Sequence, residues 1–194
     1  YSTNAERVIS LARAAAAGLS EGGILPVLKH IPGHGRAEAD SHHALPVVDA
    51  PLAELRAADF VPFAAFADAP MAMTAHVVYT AIDGKAPATL SAKVIRKVIR
   101  QELGFTGLLM TDDLSMKALT GTIAEKCRRA LAAGCDVILH CNGVLPEMED
   151  VADAAGILRG KSLRRARAAL RTRRKPQPFE RKLAMADLKA LVSG

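Results

Sequence analysis

The chain has 194 residues and half of them are hydrophobic, which is enough for one domain with a substantial core and excludes a chain that is disordered throughout. Aromatic residues make up only 4% of it and tryptophan is absent, which argues against a stacking platform for single-stranded nucleic acid. The net charge of +6 is local, because residues 159–182 hold eleven of the 26 lysines and arginines and a single acid. We interpret that segment as a solvated helix face with a cationic tail, since no base-reading motif accompanies it, and we expect no nucleic-acid partner.

Cysteine usage and hydropathy indicate the compartment. Cys127, Cys135 and Cys141 are odd in number, which predicts reduced thiols rather than disulfides. No apolar run reaches the length of a membrane span and no signal peptide opens the chain, so we expect a cytoplasmic protein without a membrane partner. The chain begins at Tyr1 rather than Met, which is consistent with a cut N-terminus.

Helices and strands alternate along the sequence. In chain order we predict a helix from about residue 5 to 19, a strand 24–28, a histidine-rich loop to residue 46, a helix from residue 51, a strand 71–78, a helix 91–103, a strand 107–110, a helix 123–133, a strand 135–141 and two or three final helices. Each strand is a continuous apolar run, which is typical of parallel strands covered on both faces. The sequence therefore predicts an α/β fold with a parallel sheet, and residues 175–178 as a linker that loosens the last helix.

Every predicted strand ends in polar or titratable side chains. Parallel α/β enzymes carry their catalytic groups at the carboxyl ends of the strands. The four ends carry, in order, Lys29 and His30, His76, Asp112 and Asp113, and His140 and Asn142. This coincidence predicts a catalytic or binding site at one edge of the sheet.

The adjacent acids Asp112 and Asp113 allow two interpretations. A carboxylate at a strand end can serve as nucleophile or general base, whereas Asp is also a good N-cap for a helix that starts at Leu114. Because neighbouring residues on a strand point to opposite sides, one acid can face the site while the other makes structural bonds. Local sequence leaves both interpretations open.

The loop after the first strand is rich in histidine. Asp40 can hold the imidazole of His42 in one tautomer, although a solvated surface loop is the alternative. No His-x-x-x-His spacing falls in a helix, and Ser41 lacks the glycines of a nucleophile elbow, so we expect neither a metal or other cofactor nor a serine nucleophile. Lys29 is either a cation that binds hydroxyl, carboxylate or phosphate groups or an ordinary surface lysine.

These motifs resemble glycoside hydrolase family 3, and most closely its bacterial β-N-acetylglucosaminidases of cell-wall recycling. The matching segments lie in order across about residues 1–145. They are Lys-His-Ile-Pro-Gly-His-Gly from Lys29 with Asp-Ser-His from Asp40, Met-Thr-Ala-His-Val from Met73, Leu-Gly-Phe-Thr-Gly from Leu103, Thr-Asp-Asp-Leu-Ser-Met from Thr111, and Ala-Gly-Cys-Asp-Val-Ile-Leu-His-Cys-Asn from Ala133. The first combination is highly specific, whereas Met-Thr-Ala-His alone is a weak signal.

The resemblance implies a role for each matched residue. Asp112 would be the catalytic nucleophile, and His42, with Asp40 as its partner on a mobile loop, would be the general acid and base. The residues that would bind the sugar are Lys29, His30 and His76. The implied reaction is retaining hydrolysis of a terminal β-linked N-acetylglucosamine through a glycosyl-enzyme on Asp112, with peptidoglycan-derived muropeptides as substrates and no metal.

The resemblance also implies an incomplete domain. The family's catalytic domain is a parallel (β/α)8 TIM-type barrel, a fold that takes about 250 residues, and this chain supplies about four βα units plus C-terminal helices. We therefore expect residues 1–175 to be the second half of the barrel and residues 176–194 a C-terminal helical tail. A half barrel exposes two sheet edges, so we expect the chain by itself to be poorly stable or oligomeric.

Two other functions remain open at this point. One is a different specificity within the same family, such as β-glucosidase, although the Asp-Ser-His loop belongs to the N-acetylglucosaminidase branch. The other is a non-catalytic sugar- or nucleic-acid-binding domain on a decayed barrel. The intact Asp112 and His42 argue against decay, whereas salt-dependent DNA binding through residues 159–182 would favour it.

Overall fold

The computed structural model describes residues 2–193. The strands are β1 (Val27–Ile31), β2 (Val47–Val48), β3 (Met71–Thr74), β4 (Val78–Tyr79), β5 (Leu108–Asp113) and β6 (Val137–Leu139). The α-helices are α1 (Ala5–Glu21), α2 (Leu52–Glu54), α3 (Val61–Ala64), α4 (Thr80–Asp83), α5 (Ile123–Ala133), α6 (Leu145–Ala155), α7 (Gly160–Arg171) and α8 (Arg181–Val192). Wider π-helical turns span Leu55–Asp59 and Val94–Glu102, and a 3-10 turn spans Ala88–Leu90.

Four strands form one parallel sheet in the order β1-β3-β5-β6. Helical segments connect each strand of this sheet to the next, which is the repeating βα arrangement expected when both faces of a sheet are covered. β2 and β4 form a separate two-stranded parallel pair. The predicted α/β fold with a parallel sheet is confirmed, and within residues 2–193 both β1 and β6 have a strand neighbour on one side only.

The main core lies where the helix Val94–Glu102 packs on the sheet. The buried residues of this helix recur at helical spacing on one face, as the sequence predicted. They include Ile95 and Ile99, which are 1% exposed or less. Gly107, just before β5, has no room for a side chain, because a Cβ atom there would lie 2.4 Å from the carbonyl oxygen of Ala69. Glycine thus allows β5 to start close against the chain that enters β3.

Helix α5 spans its predicted residues, because the residues that start and end it are adjacent to it in the sequence. Thr122 and Glu125 form a capping box at its start, with each side chain bonded to the other residue's backbone N–H. Gly134 ends it with a φ of 122°, which favours glycine. α1 also begins as predicted, since the Asn4 side chain accepts the Arg7 N–H.

Two predicted strands differ from the observed ones. β1 is shifted from residues 24–28 to Val27–Ile31, so Lys29 and His30 lie inside the strand rather than beyond it. The predicted strand 71–78 is two strands, because Ala75 O and Val77 O turn away to accept the N–H groups of Thr89 and Ala88. The chain between β3 and β4 therefore pairs with the 3-10 turn instead of continuing the sheet.

No helix starts at Leu114, directly after the acid pair. Residues 114–121 are turns and bends, so the interpretation of Asp113 as the N-cap of a helix starting at Leu114 is wrong. α2 follows Pro51 without a side-chain cap, and the nearby Asp49 Oδ1 instead accepts from Thr80 Oγ1 at 2.5 Å.

The C-terminal segment after α7 contacts the body of the protein. Gln177 N–H donates to the Glu21 carbonyl at 2.8 Å, and Arg173 Nε donates to the Gly23 carbonyl at 3.1 Å. The predicted loose linker is therefore tied to the end of α1, while α8 beyond it has no buried residue. None of the helices in the described range is long and apolar enough to cross a membrane.

Candidate active site

A bulge in β1 places His30 at the site. Lys29 pairs with Met73 and Ile31 pairs with Thr74, so two steps along β1 match one step along β3. The extra residue in β1 is His30. Bulges of this kind redirect a side chain, and they are frequent beside active sites.

A second bulge lies in β5, on the other side of β3. Met110 pairs with Val137 and Asp113 pairs with Leu139, which leaves one extra residue in β5. The Thr111 hydroxyl accepts the Leu139 N–H at 2.9 Å, so the side chain replaces the missing backbone bond. The irregularity lies between Met110 and Asp113 and therefore includes Asp112.

The structure brings His30 and Asp112 together. His30 Nε2 lies 3.4 Å from Asp112 Oδ2, and the side chains are 27% and 14% exposed. Burial lowers the pKa of His30 and the nearby Asp112 charge opposes that shift only in part, which favours a neutral imidazole at neutral pH. The Asp113 N–H donates to Asp112 Oδ1 at 2.9 Å, so Oδ2 is the oxygen left toward His30.

Asp113, in contrast, is occupied by structural bonds. Its Oδ1 accepts the backbone N–H of Ser115 at 3.0 Å and of Cys141 at 3.2 Å, and its Oδ2 accepts the Ser115 hydroxyl at 2.6 Å. Burial raises the pKa of Asp113, but these hydrogen bonds outweigh it and hold the pKa below its ordinary value. Of the two roles that the sequence left open for the pair, the geometry gives the anchoring role to Asp113.

His76 is fully buried behind the two acids. Its Nε2 lies 3.0 Å from the carbonyl oxygen of Asp113, and its Nδ1 lies 2.7 Å from the Thr89 hydroxyl. Burial lowers the pKa of His76, although the hydrogen bond to Asp113 opposes that shift. Both ring nitrogens are engaged by protein groups, and the expectation that His76 binds substrate stays a prediction.

The histidine-rich loop is anchored at its first half. The Tyr79 hydroxyl donates to the Gly33 carbonyl, and Arg36 pairs with Asp59 at 2.7 Å. The ring of His34 approaches that of His30 edge-on, with centroids 5.8 Å apart. These contacts place the start of the loop against the site.

The Asp40–His42 pair forms as predicted, in the outer half of the same loop. Asp40 Oδ1 accepts the His42 backbone N–H at 2.9 Å and lies 2.7 Å from Nδ1, and the hydrogen bonds from His42 lower the pKa of Asp40. Their side chains are 58% and 71% exposed. Within residues 2–193 no hydrogen bond or ion pair joins this dyad to Asp112, so the structure does not bring the two together.

Lys29 and His30 both border a cavity of about 810 Å³ along the unpaired side of β1. Its wall combines the apolar side chains of Phe63 and Phe66 with polar ones, and Asp112 does not line it. Lys29 itself is exposed. The cavity therefore marks the open side of the sheet rather than a closed sugar pocket around the carboxylate.

The other predicted strand-end residues lie beside Asp113. His140 is almost fully buried, with Nε2 3.4 Å from Glu147 Oε2 and Nδ1 3.9 Å from Asp113 Oδ1, and neither ring nitrogen has a hydrogen-bond partner among the described residues. Asn142 Nδ2 donates to Glu147 Oε2 at 2.6 Å.

Thr89 and Ser115 hold His76 and Asp113 and are not among the residues predicted from the sequence. The spacing Asp-x-Ser at residues 113–115 is typical of a side-chain turn and carries a signal for Ser115. Thr89 has no comparable local signal, because its partner lies 13 residues away.

Comparison with known proteins relates this arrangement to one family. The sequence profile of the Glycosyl hydrolase family 3 N terminal domain matches residues 1–171. A beta-hexosaminidase from Chromobacterium violaceum is 44% identical over 154 residues, which cover 77% of this chain and 42% of that protein. A family 3 β-N-acetylglucosaminidase from Paenibacillus sp. str. FPU-7 is 31% identical with a TM-score of 0.79, over 90% of this chain and 37% of that one. NagZ from Neisseria gonorrhoeae, solved in complex with N-trifluoroacetyl-D-glucosamine, is 36% identical with a TM-score of 0.76, over 90% of this chain and 50% of that one.

The lengths of these relatives differ from that of the chain. The chain spans about two-fifths of the curated relatives that it matches. The matched profile ends at Arg171, the last residue of α7, so α8 lies beyond it. The similarity therefore covers the four parallel strands and all of the candidate site residues.

Proposed function

This chain belongs to glycosyl hydrolase family 3, and from that premise we propose that it is the part of a retaining exo-β-N-acetylglucosaminidase that carries the nucleophile and the general acid and base. The observation that carries the proposal is the pair of contacts made by the two carboxylate oxygens of Asp112. One of its oxygens is held by the Asp113 N–H, and the other faces the strand-end residue His30 at 3.4 Å. A carboxylate fixed in this way has one oxygen directed at the carboxyl end of the sheet, where parallel α/β enzymes act.

In the proposed first step, Asp112 Oδ2 attacks the anomeric carbon as the bond to the leaving oxygen breaks. The leaving oxygen takes its proton from Nε2 of protonated His42, and a glycosyl ester forms on Asp112. Neutral His42 then accepts a proton from water at Nε2, the water oxygen attacks the anomeric carbon, and Asp112 leaves as a carboxylate. Two inversions at the same carbon retain the anomeric configuration.

The geometry of the dyad supports the role of His42. A carboxylate only accepts hydrogen bonds, so the 2.7 Å contact with Asp40 puts a proton on His42 Nδ1. Nε2 is then the nitrogen left to exchange a proton with the substrate, and it carries no protein partner in the described chain. Because the dyad is exposed on a loop, we propose that this loop folds over the sugar during the reaction.

The proposed substrate is a terminal β-linked N-acetylglucosamine of a peptidoglycan-derived muropeptide, hydrolysed in the cytoplasm. The relatives support the sugar, since they are named beta-hexosaminidases and β-N-acetylglucosaminidases. Lys29 and His30, which are among the last three residues of β1, would donate hydrogen bonds to its hydroxyl groups. The portion of the relatives that this chain does not span would complete the pocket and the barrel.

The test is hydrolysis of an aryl N-acetyl-β-glucosaminide. It is run on this chain and on the chain completed with the portion of the Chromobacterium violaceum relative that it lacks. We expect activity in the completed chain and a loss of several orders of magnitude in Asp112→Ala, because the glycosyl ester cannot form. Asp68→Ala, which removes an exposed acid, is the matched control and should keep normal activity.

Added azide sharpens the test, since this small anion can attack the anomeric carbon from the space left by the missing carboxylate. We expect azide to restore part of the rate of Asp112→Ala and to give a glycosyl azide. Near-normal turnover of Asp112→Ala without azide would contradict the assignment of the nucleophile. A folded completed chain that is silent would contradict the proposed activity.

A further inference from the structure

We propose that His76 is a positioning residue, which is locked in one tautomer by Thr89 and fixes the Asp112 carboxylate through the backbone of Asp113 without touching the substrate. The inference rests on the proposed function of Asp112. It differs from the expectation that His76 binds the sugar, because the ring is 0% exposed and both of its nitrogens face protein groups.

The tautomer follows from the partners of the ring. A carbonyl oxygen only accepts, so the 3.0 Å contact with Asp113 requires a hydrogen on His76 Nε2. The second nitrogen of a neutral imidazole is then bare and accepts the Thr89 hydroxyl hydrogen at 2.7 Å. Burial disfavours the imidazolium form in which both nitrogens would donate.

The Thr89 hydroxyl has a competing acceptor, and the geometry favours His76. The carbonyl of Ala75 lies 3.1 Å from the hydroxyl, farther than His76 Nδ1, and the hydroxyl has a single hydrogen to give. If that hydrogen went to Ala75, a bare Nδ1 would be left unpaired inside the core. The Thr74 hydroxyl, 2.8 Å away, has Thr89 Oγ1 as an acceptor, which continues the chain of hydrogen bonds in one direction.

The contact with His76 completes the anchoring of Asp113. Its carbonyl is held by His76, and its side chain is held by Ser115 and by the Cys141 N–H. The remaining polar group of Asp113 is its N–H, which donates to Asp112 Oδ1 at 2.9 Å. Because Asp113 is held at its carbonyl and at its side chain, its N–H keeps one direction and sets the rotation of the Asp112 carboxylate.

The rotation of Asp112 matters because an attacking oxygen must lie in line with the bond that breaks. Misplacement of a reacting group by about 1 Å can cost roughly 100-fold in rate. Sugar binding by other residues does not depend on that rotation to the same degree. Loss of the Thr89 hydroxyl should therefore lower kcat and leave KM nearly unchanged.

The experiment compares two removals of a buried hydroxyl in the completed chain. Thr89→Val removes the donor to His76, whereas Thr74→Val removes a neighbouring hydroxyl and leaves the bond from Thr89 to His76 intact. We expect Thr89→Val to lower kcat for the aryl N-acetyl-β-glucosaminide by about 10- to 100-fold with KM within about twofold. Thr74→Val and the conservative Thr89→Ser should stay within about threefold of the parent.

A purely structural role of the network predicts a different result. Thr74→Val and Thr89→Val would then lower kcat equally, in step with their stability, and that outcome overturns the proposal. If Thr89→Val does not fold, His76→Gln and His76→Leu replace it, since only the Gln amide can donate to the Asp113 carbonyl. The proposal requires at least a tenfold higher kcat for His76→Gln, and equal values overturn it.

A second readout does not depend on activity. The chemical shift of the Asp112 carboxyl carbon and the exchange rate of the Asp113 amide are followed by NMR in the parent and in Thr89→Val. We expect both to change in Thr89→Val and to stay unchanged in Thr74→Val, and no change in either overturns the positioning role. An inactive parent with these NMR changes would contradict the proposed function and still support the coupling from His76 to Asp112.

Discussion

Two identical side chains in succession, Asp112 and Asp113, differ in their contacts because their neighbours differ. Asp113 collects hydrogen bonds from Ser115 and Cys141, whereas Asp112 keeps one oxygen toward His30. Alternation along a strand predicts that the two point to opposite sides. It does not predict which one is free, because that depends on Cys141, 28 residues further along the chain.

Loss of the His42 imidazole should affect substrates with poor leaving groups most. A general acid matters most when the leaving group is poor, since a good leaving group departs without a proton. We expect His42→Ala to lower turnover of a disaccharide substrate by about 100-fold or more and that of a dinitrophenyl glycoside far less. Steady-state kinetics over a series of leaving groups in the completed chain measures this difference.

His43→Ala is the matched control for His42→Ala. His43 is exposed on the same loop, and its side chain makes no hydrogen bond in the described chain, so its removal should leave the whole series unchanged. Equal losses over all leaving groups for His42→Ala would contradict the acid role and indicate a role in binding or in the loop.

Helices whose ends are marked by neighbouring residues were predictable from the sequence. Strands whose limits depend on hydrogen bonding to another strand were not. α5 lies at its predicted residues, because its capping box and terminal glycine are adjacent in sequence. β1 is displaced by three residues, because its limits follow from register with β3. The two bulges that shape the site carry no local signal either, since each is a mismatch between two strands.

Contacts in the structure also change the interpretation of the basic segment, residues 159–182, as a solvated helix face. Asp136, just before β6, is 2% exposed and binds the guanidinium of Arg100 at 2.7 Å and that of Arg165, on α7, at 2.9 Å. It also accepts from the Leu109 N–H and the Ser162 hydroxyl. Part of the positive charge that the sequence left to solvent therefore attaches α7 to the sheet, which weakens the case for a DNA-binding surface there.

We predict that Asp136 is a main determinant of stability. Asp136→Asn leaves two guanidinium groups close together and partly buried without a counter-charge, at a cost of about 3 kcal/mol in the free energy of unfolding. Arg165→Gln removes only the more exposed partner and should cost about 1 kcal/mol or less, because Arg100 still neutralises Asp136. Urea unfolding of both variants in the completed chain measures the difference, and equal midpoints would contradict this account.

The described parallel sheet has two open edges. β1 and β6 each lack a second strand neighbour within residues 2–193, and apolar Phe63 and Phe66 line the cavity beside β1. Unpaired edges present rows of backbone N–H and carbonyl groups, which favour association with other chains. The similarity to longer proteins, of which this chain matches about two-fifths, gives a physical reason for this surface, since the portion that the chain does not span can supply the neighbouring strands.

The last prediction follows from these edges. We expect this chain alone to self-associate or to unfold without cooperativity, with an apparent melting temperature that depends on protein concentration. Adding the missing portion of the Chromobacterium violaceum relative as a separate polypeptide should convert it into a one-to-one complex with a sharper melt, because the edges then find their partners. Sedimentation velocity and thermal unfolding at several concentrations measure both effects. A monomer that melts cooperatively at one temperature over all concentrations would mean that the four βα units are stable without the rest of a barrel, and that the open edges of β1 and β6 are tolerated in water.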